Sequence, residues 1–166
     1  MANVTFQQEA VTLLGNEIKV GDQAPNFTVL SNDLKEVGLD DYKGKVKLIS
    51  AVPSVDTGVC SDQTKRFNEE ADKLDNVHVL TISMDLPFAQ TRWCSANGIK
   101  DLDLLSDHRN ADFGEKYGVL IKELRLLARA IFVVNSDNKV TYVQYVDEVT
   151  DHPNYDEALD AAKKAD

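Results

Sequence analysis

Two cysteines, and the residues that lead up to the first of them, are the part of this sequence best suited to chemistry. Cys60 ends a run that starts at Pro53, follows an apolar strand-like segment, Val46 to Val52, and precedes a helix-like stretch, Ser61 to Leu74. A thiol at the start of a helix meets unpaired backbone N–H groups and the positive end of the helix dipole, and both favour the thiolate. This position predicts that Cys60 is a nucleophile.

The alternative for Cys60 is a buried cysteine that only fills space, which is the usual role of a free cysteine. The flanking residues argue against it, because Gly58 and its polar neighbours suit a solvent-accessible turn rather than an apolar face. Thr57 lies three residues before Cys60, a spacing at which its hydroxyl can cap the first helical turn and also donate to a thiolate or a substrate oxygen. Without Cys60, Thr57 would be interpreted as a plain N-cap.

The spacing within this run matches a known signature. Pro53, Thr57 and Cys60 fit the Pro-x-x-x-Thr-x-x-Cys pattern of the peroxiredoxins, and Ser83 to Cys94 resembles the resolving-cysteine helix of the bacterial thiol peroxidase subfamily. The resemblance covers essentially the whole chain. It implies a thiol-dependent peroxidase for hydrogen peroxide and organic hydroperoxides, in which Cys60 attacks, forms a sulfenic acid and then pairs with Cys94, the resolving residue, in an intramolecular disulfide.

The resemblance also assigns an arginine to the site. A thiolate that attacks a peroxide needs positive charge and hydrogen-bond donors near the departing oxygen. Spacing does not identify the arginine, and the resemblance points to Arg129, which is otherwise most simply a strand-end arginine at the surface or in an ion pair. Pro53, which lacks an N–H, can shield the thiolate, and as a strand terminator it has a structural role in either case.

Partners follow from the resemblance alone. It implies that thioredoxin reduces the disulfide and that the protein is a homodimer with active sites near the interface. Trp93 and Phe88 fit this interface or a pocket for apolar hydroperoxides, and they fit core positions equally well.

Disulfide formation is expected to need a change of structure. A disulfide needs Cα atoms within about 7 Å, and the two helices can hold the sulfurs apart in the reduced protein. We therefore expect local unwinding around Cys60, Cys94 or both.

Composition limits the other classes of function. A formal charge of −10 argues against binding to nucleic acid and to anionic membrane surfaces, since both are negatively charged. The N-terminus lacks a basic region followed by an apolar one, and no apolar run approaches the roughly 20 residues that span a bilayer. We therefore expect a cytoplasmic protein with no nucleic-acid or membrane partner.

No metal or organic cofactor is expected. In a reducing compartment, two cysteines that lie far apart in the sequence suit a transient redox pair better than a permanent structural disulfide. Zinc is a poor alternative, because His78, His108 and His152 are scattered without ligand spacing. Phosphate-loop and dinucleotide glycine patterns are absent from the sequence.

Hydrophobic patterning predicts the elements that position the cysteines. The N-terminus is expected to form a hairpin from Val4–Gln7 and Val11–Leu14, with a turn at Gly15–Asn16 before Glu17–Val20. Further strands are expected at Phe27–Leu30, Val46–Val52, Val77–Ser83, Leu102–Leu105, Ala130–Val134 and Val140–Val146, with helices at Leu39–Tyr42, Ser61–Leu74, Pro87–Gly98, Ala111–Tyr117 and Tyr155–Lys164.

Strands that alternate with helices predict a three-layer α/β sandwich with a mixed sheet. The resemblance makes this the thioredoxin fold with an N-terminal β-hairpin. No repeat, low-complexity tract or linker divides the 166 residues, so a single domain over 1–166 is expected.

Two other functions compete with a peroxidase. A thioredoxin-like disulfide oxidoreductase normally carries a Cys-x-x-Cys pair, which is absent here. A redox sensor would use the same two thiols to switch a partner interaction without turnover. The rate separates the two, because an enzyme consumes peroxide repeatedly when a reductant is present.

Overall fold

A mixed β-sheet with helices on both faces positions the two cysteines. The computed structural model describes residues 3–71, 73–99 and 103–165. In chain order the elements are β1 (Val4–Phe6), β2 (Glu9–Val11), β3 (Leu13–Leu14), β4 (Thr28–Leu30), β5 (Glu36–Gly38), a 3-10 helix (Leu39–Tyr42), β6 (Val46–Ala51), α1 (Gly58–Ala71), β7 (Val77–Ser83), α2 (Pro87–Ala96), β8 (Asp103–Ser106), α3 (Asp112–Lys116), β9 (Leu120–Ile121), β10 (Ala130–Val134), β11 (Val140–Tyr145) and α4 (Tyr155–Lys164).

The central sheet has seven strands in the order β11-β10-β6-β7-β8-β4-β5. Strands β6, β7 and β8 run parallel, whereas β10 is antiparallel to β6 and β4 is antiparallel to β8. All six residues of β6 are buried, as expected for a strand that lies between two neighbours and is covered on both faces. The chain leaves this central strand directly before α1.

Alternate residues of β6 point to two different cores. Leu48 packs with Phe67 of α1 and Ala158 of α4 on one face. Ile49 belongs to the larger core on the other face, which contains Phe132 and the α3 residue Phe113. The predicted three-layer α/β arrangement with a mixed sheet is therefore confirmed.

Most predicted elements are present with small shifts in their ends. Strands β7 and β10 and helix α4 have the predicted bounds. Helix α1 begins three residues earlier than predicted, at Gly58, so that Cys60 lies within its first turn. Strands β5 and β9 were not predicted, and Leu102 of the predicted Leu102–Leu105 strand lies outside the described residues. None of the described helices has the length and apolar composition needed to cross a bilayer.

The predicted N-terminal hairpin exists, but its turn lies elsewhere. Strands β1 and β2 pair through a turn at Gln7 and Gln8, rather than at Gly15–Asn16. Glu17–Val20, the segment that follows the predicted turn, forms no strand. The Ile18 N–H instead donates to the Tyr145 hydroxyl at 2.8 Å.

Gly15 explains why the chain turns without starting a hairpin there. Its φ is +96°, and a Cβ atom would lie 1.8 Å from the carbonyl oxygen of Glu115. The glycine thus permits a close approach to the backbone of α3. Leu13–Leu14 pairs with β9 instead of with a following strand.

The aromatic core gives a test of the fold. Phe132 is fully buried on β10 and contacts the rings of Tyr117 and Tyr145 at centroid distances of 5.2 and 5.6 Å. We expect Phe132→Ala to lower the free energy of unfolding by about 3–5 kcal/mol, because it leaves a cavity among these rings. Phe88→Ala is the matched control, since Phe88 is 69% exposed, and should change it by less than about 0.5 kcal/mol. Urea unfolding of the reduced proteins measures both, and equal effects would contradict this core assignment.

Candidate active site

Cys60 occupies the first turn of α1, with its N–H pointing back to a capping hydroxyl. The N–H donates to Thr57 Oγ1 at 3.3 Å, and Thr57 immediately precedes the helix. The same hydroxyl lies 3.3 Å from the Ser54 carbonyl, to which it donates. Thr57 therefore caps the helix, and its donation to a thiolate or substrate oxygen stays a prediction. Cys60 itself is fully buried.

Arg129 contacts Cys60 directly. One terminal nitrogen, Nη2, lies 3.3 Å from Cys60 Sγ. The other, Nη1, donates to Gln63 Oε1 at 2.8 Å, and Nε donates to the Val149 carbonyl at 2.8 Å. The guanidinium is thus held at three points, and the contact with Sγ is one of them.

Sheet register explains why Arg129 reaches the start of α1. Ala130, the first residue of β10, pairs with Ala51, the last residue of β6, in an antiparallel register. Arg129 therefore lies beside the point where the chain leaves β6 towards Pro53 and α1. Its carbonyl accepts from the Val146 N–H at 3.0 Å, which also ties it to the segment after β11.

The surroundings of Arg129 are electrostatically unusual. The side chain is only 2% exposed, and within the described ranges no carboxylate forms an ion pair with it. A buried charge without a counter-charge is costly, because polar acceptors replace its hydration only in part. A thiolate at Cys60 supplies the missing negative charge in direct contact with the guanidinium, and the thiol does not.

Gln63 is a site residue that the sequence analysis missed. Its Oε1 accepts from Arg129, and its Nε2 donates to Ser50 Oγ at 2.6 Å in the interior of β6. Cys60, Gln63 and Phe67 are all buried and lie at helical spacing. The position of Gln63, one turn after Cys60 on the inward face of the helix, indicates burial beside the thiol. Residue type alone indicates the opposite, because glutamine is usually exposed.

A cavity of about 340 Å³ borders these residues. Arg129, Thr57 and the buried Pro53 are part of its lining, whereas the fully buried Cys60 is not. The volume falls within the range of small-molecule pockets. The remaining lining residues are Phe6, Gln7, Gly58, Val59, Val149 and Thr150.

Cys94 lies late in α2, as predicted, in a small apolar cluster. It is 9% exposed and packs with Val55, Trp93 and Leu104. Burial raises the pKa of the Cys94 thiol, so this thiol is a weaker nucleophile at neutral pH. Both cysteines are free, and they occupy separate helices.

The two aromatic residues near Cys94 have different environments. Trp93 is buried, and its Nε1 lies 3.3 Å from Ser61 Oγ on α1. Phe88 is 69% exposed. Neither ring lines the 340 Å³ cavity, so Trp93 matches the core alternative and Phe88 does not.

Asp85 connects the segment before α1 to the segment before α2. Its carboxylate accepts from Ser54 Oγ at 2.7 Å, from the Val55 N–H at 2.9 Å and from Ser83 Oγ at 2.7 Å. Hydrogen bonds to an ionised carboxylate are stronger than those between neutral groups. The carboxylate therefore fixes the approach to Cys60 relative to the start of the helix that carries Cys94.

Comparison with known proteins finds relatives over nearly the full length. Residues 19–159 match the Redoxin family model. The chain is 66% identical over 164 residues to a thiol peroxidase of Oceanobacillus iheyensis, covering 99% of this chain and 100% of that protein. It is 62% identical over 163 residues to a thiol peroxidase of Bacillus subtilis, covering 98% of each. A peroxiredoxin-like protein from Aquifex aeolicus has a crystal structure that matches with a TM-score of 0.93 at 44% identity, covering 99% of this chain and 98% of that one.

Gln63 provides a test of the site's internal support. Gln63→Met keeps the side-chain length but leaves Arg129 Nη1 and Ser50 Oγ without this partner. We expect the free energy of unfolding to fall by about 2 kcal/mol or more, because the buried and charged Arg129 Nη1 loses its acceptor and the buried Ser50 hydroxyl oxygen loses its donor. Gln23→Met, at an exposed glutamine, should change it by less than about 0.5 kcal/mol. If chemical unfolding shows the same change for both variants, Gln63 does not support the guanidinium.

Proposed function

Because the chain belongs to the Redoxin family, and within it to the bacterial thiol peroxidase subfamily of the peroxiredoxins, we propose that it is a peroxidase that reduces hydroperoxides with Cys60. The observation that carries the proposal is the contact between Cys60 Sγ and Arg129, a buried guanidinium without a carboxylate partner among the described residues. The adjoining cavity supports it, since its lining presents Arg129 and Thr57 to a small molecule.

The first step is an attack of the Cys60 thiolate on one oxygen of the hydroperoxide. The S–O bond forms while the O–O bond breaks, so that the thiolate is oxidised to a sulfenic acid and the peroxide is reduced. The departing oxygen takes a proton from solvent and leaves as water or as an alcohol. Arg129 stabilises the developing negative charge, Thr57 orients the substrate oxygen, and Pro53 limits access of water to the thiolate.

The second step forms a disulfide with Cys94. The Cys94 sulfur attacks the sulfenic sulfur, the S–S bond forms, the S–O bond breaks and water leaves. Both cysteines lie within folded helices while they are free, so we propose that local unwinding brings the sulfurs together. Identical structures of the reduced and oxidised protein would contradict this part of the proposal.

Completion of the cycle needs an external dithiol. We propose thioredoxin as this reductant, together with a homodimeric assembly, a cytoplasmic location and a role in antioxidant defence. The reductant, the assembly and the antioxidant role rest on the family resemblance, whereas the location is the expectation from the composition of the sequence. Organic hydroperoxides are included as substrates because the cavity volume far exceeds the size of hydrogen peroxide.

Three proteins test the roles of the two cysteines. After one equivalent of hydrogen peroxide, intact mass should show an intramolecular disulfide in the wild type and a sulfenic acid in Cys94→Ser. Cys60→Ser should remain unmodified, because burial raises the pKa of the remaining thiol and Arg129 contacts Cys60 rather than Cys94. Free-thiol titration on the same samples counts the thiols that have reacted.

The same experiment separates the peroxidase from its rivals. Rapid and repeated turnover with a dithiol reductant supports the enzyme. Slow oxidation of the wild type, or equal reactivity of the two serine variants, would overturn the assignment and favour a redox sensor or incidental thiols.

Arg129→Lys tests the electrostatic argument. The variant keeps one positive charge, but a single ammonium cannot reproduce a planar fork that reaches three acceptors. We expect the second-order rate constant for loss of the Cys60 thiol with hydrogen peroxide to fall about 10- to 100-fold. Rapid mixing of the reduced protein with hydrogen peroxide measures this rate constant. Arg125→Lys, at an exposed arginine in the preceding loop, is the matched control. If Arg129→Lys reacts as fast as this control, Arg129 has no part in the mechanism.

A further inference from the structure

Glu148 is the centre of a hydrogen-bond cluster beside the cavity. Its Oε1 accepts from the Gln8 N–H at 2.7 Å and from the Thr5 hydroxyl at 2.9 Å. Its Oε2 accepts from the Thr150 N–H at 2.8 Å, from the Thr150 hydroxyl at 2.5 Å and from the Gln7 N–H at 3.2 Å. The hydroxyl of Thr150, and then its N–H, lower the pKa of Glu148 to about 2. The carboxylate is therefore ionised at neutral pH.

The hairpin turn depends on this carboxylate. Gln7 and Gln8 have φ values of 52° and 68°, in the left-handed region that residues other than glycine seldom adopt. Such a turn persists only when surrounding contacts favour it. Glu148 provides these contacts, because it accepts the backbone N–H of both residues.

Partners of Glu148 border the cavity on two sides. Phe6 and Gln7, which we call the hairpin lip, line one side, and Val149 and Thr150 line another. Backbone bonds between Thr5 and the segment after β11 join the two sides. Glu148 is not part of the lining, so any effect that it has on a bound molecule is exerted through these neighbours.

The cavity has more room than the smallest peroxide needs. Hydrogen peroxide has two heavy atoms, and a water molecule occupies about 30 Å³ in the liquid, compared with a cavity of about 340 Å³. The hairpin lip contributes an aromatic ring, Phe6, which is partly exposed, whereas Val149 on the other side is fully buried. An organic group on a hydroperoxide can bury apolar surface against Phe6, whereas hydrogen peroxide has no such group.

We propose that Glu148 is a positioning residue that holds the hairpin lip over the cavity and thereby favours hydroperoxides with an apolar organic group over hydrogen peroxide. This inference rests on the proposed peroxidase function. The carboxylate acts by fixing the turn that carries Phe6 and Gln7. It takes no part in the transfer of oxygen to Cys60.

Selectivity, rather than activity alone, tests the proposal. The rate constants for oxidation of the Cys60 thiol by cumene hydroperoxide and by hydrogen peroxide are measured in single turnovers of the reduced protein, and their ratio is compared between variants. Glu148→Gln should lower this ratio about tenfold, since organic substrate contacts are lost while the chemistry at Cys60 is shared. Asp147→Asn is the matched control. Its exposed side chain adjoins Glu148, and its backbone carbonyl rather than its carboxylate accepts from Thr5.

A second variant keeps the test decisive if Glu148→Gln folds poorly. Phe6→Ala removes the apolar side chain of the lip directly and should lower the same ratio. In the double variant the two effects should be less than additive, because both act through the lip. An unchanged or raised ratio in Glu148→Gln, or an equal loss with both peroxides, would overturn the proposal, and so would an unchanged ratio in Phe6→Ala. Failure of the wild type to react with either peroxide would instead refute the proposed function.

Discussion

Arg129 places a permanent positive charge inside the protein, and its three hydrogen-bond acceptors carry no charge while Cys60 is a thiol. The acceptors are the Cys60 sulfur, the Gln63 amide oxygen and the Val149 carbonyl. Burial of a guanidinium with only neutral partners is unfavourable, so this charge is buried at a cost to folding. The proposed nucleophile therefore lies against a positive charge, at the start of α1, where the helix dipole has the same sign.

The three acceptors come from two parts of the chain, helix α1 and the segment after β11, and the central sheet brings both to Arg129. The antiparallel register of β10 against β6 places Arg129 at the end of β6 that leads into α1. Cys60 and Gln63 follow within the first two turns of that helix. The Gln63 amide is fixed by its hydrogen bond to the Ser50 hydroxyl on β6. Val149 belongs to the segment after β11, which also pairs with the N-terminal hairpin. A shift of α1 would remove two acceptors, and a shift of the segment after β11 would remove the third, so the site requires the register of β10 with β6 and β11.

Local features of the sequence predicted most of the elements and the helices that carry both cysteines, but they missed β5, β9 and the position of the hairpin turn, and they did not predict the hydrogen-bond network. The sequences of β7, β10 and α4 each carry one uninterrupted hydrophobic pattern, and the bounds of these elements were predicted correctly. Arg129 needed the family resemblance, because no spacing rule connects it to Cys60. Gln63 and Glu148 act through partners that are distant in sequence, and the turn at Gln7–Gln8 uses backbone angles that glutamine rarely adopts. That turn becomes predictable only when Glu148 is known to lie against it.

The contacts of α2 differ in strength along the helix, and this difference bears on how the second thiol can move. Near its start, the buried Gln90 donates to Ser83 Oγ and to the Leu105 carbonyl, at 3.0 and 2.8 Å. Further along, the polar contacts between α2 and the region of Cys60 are a Trp93–Ser61 bond of 3.3 Å and an exposed Arg92–Asp56 ion pair of 3.5 Å. Exposed ion pairs of this kind contribute about 0–1 kcal/mol. The start of α2 is thus anchored to the sheet, whereas the turn that carries Cys94 is held mainly by the small apolar cluster around Trp93. Because opening at Cys60 would break the buried contact between its sulfur and Arg129, we expect local opening to cost less at the turn that carries Cys94.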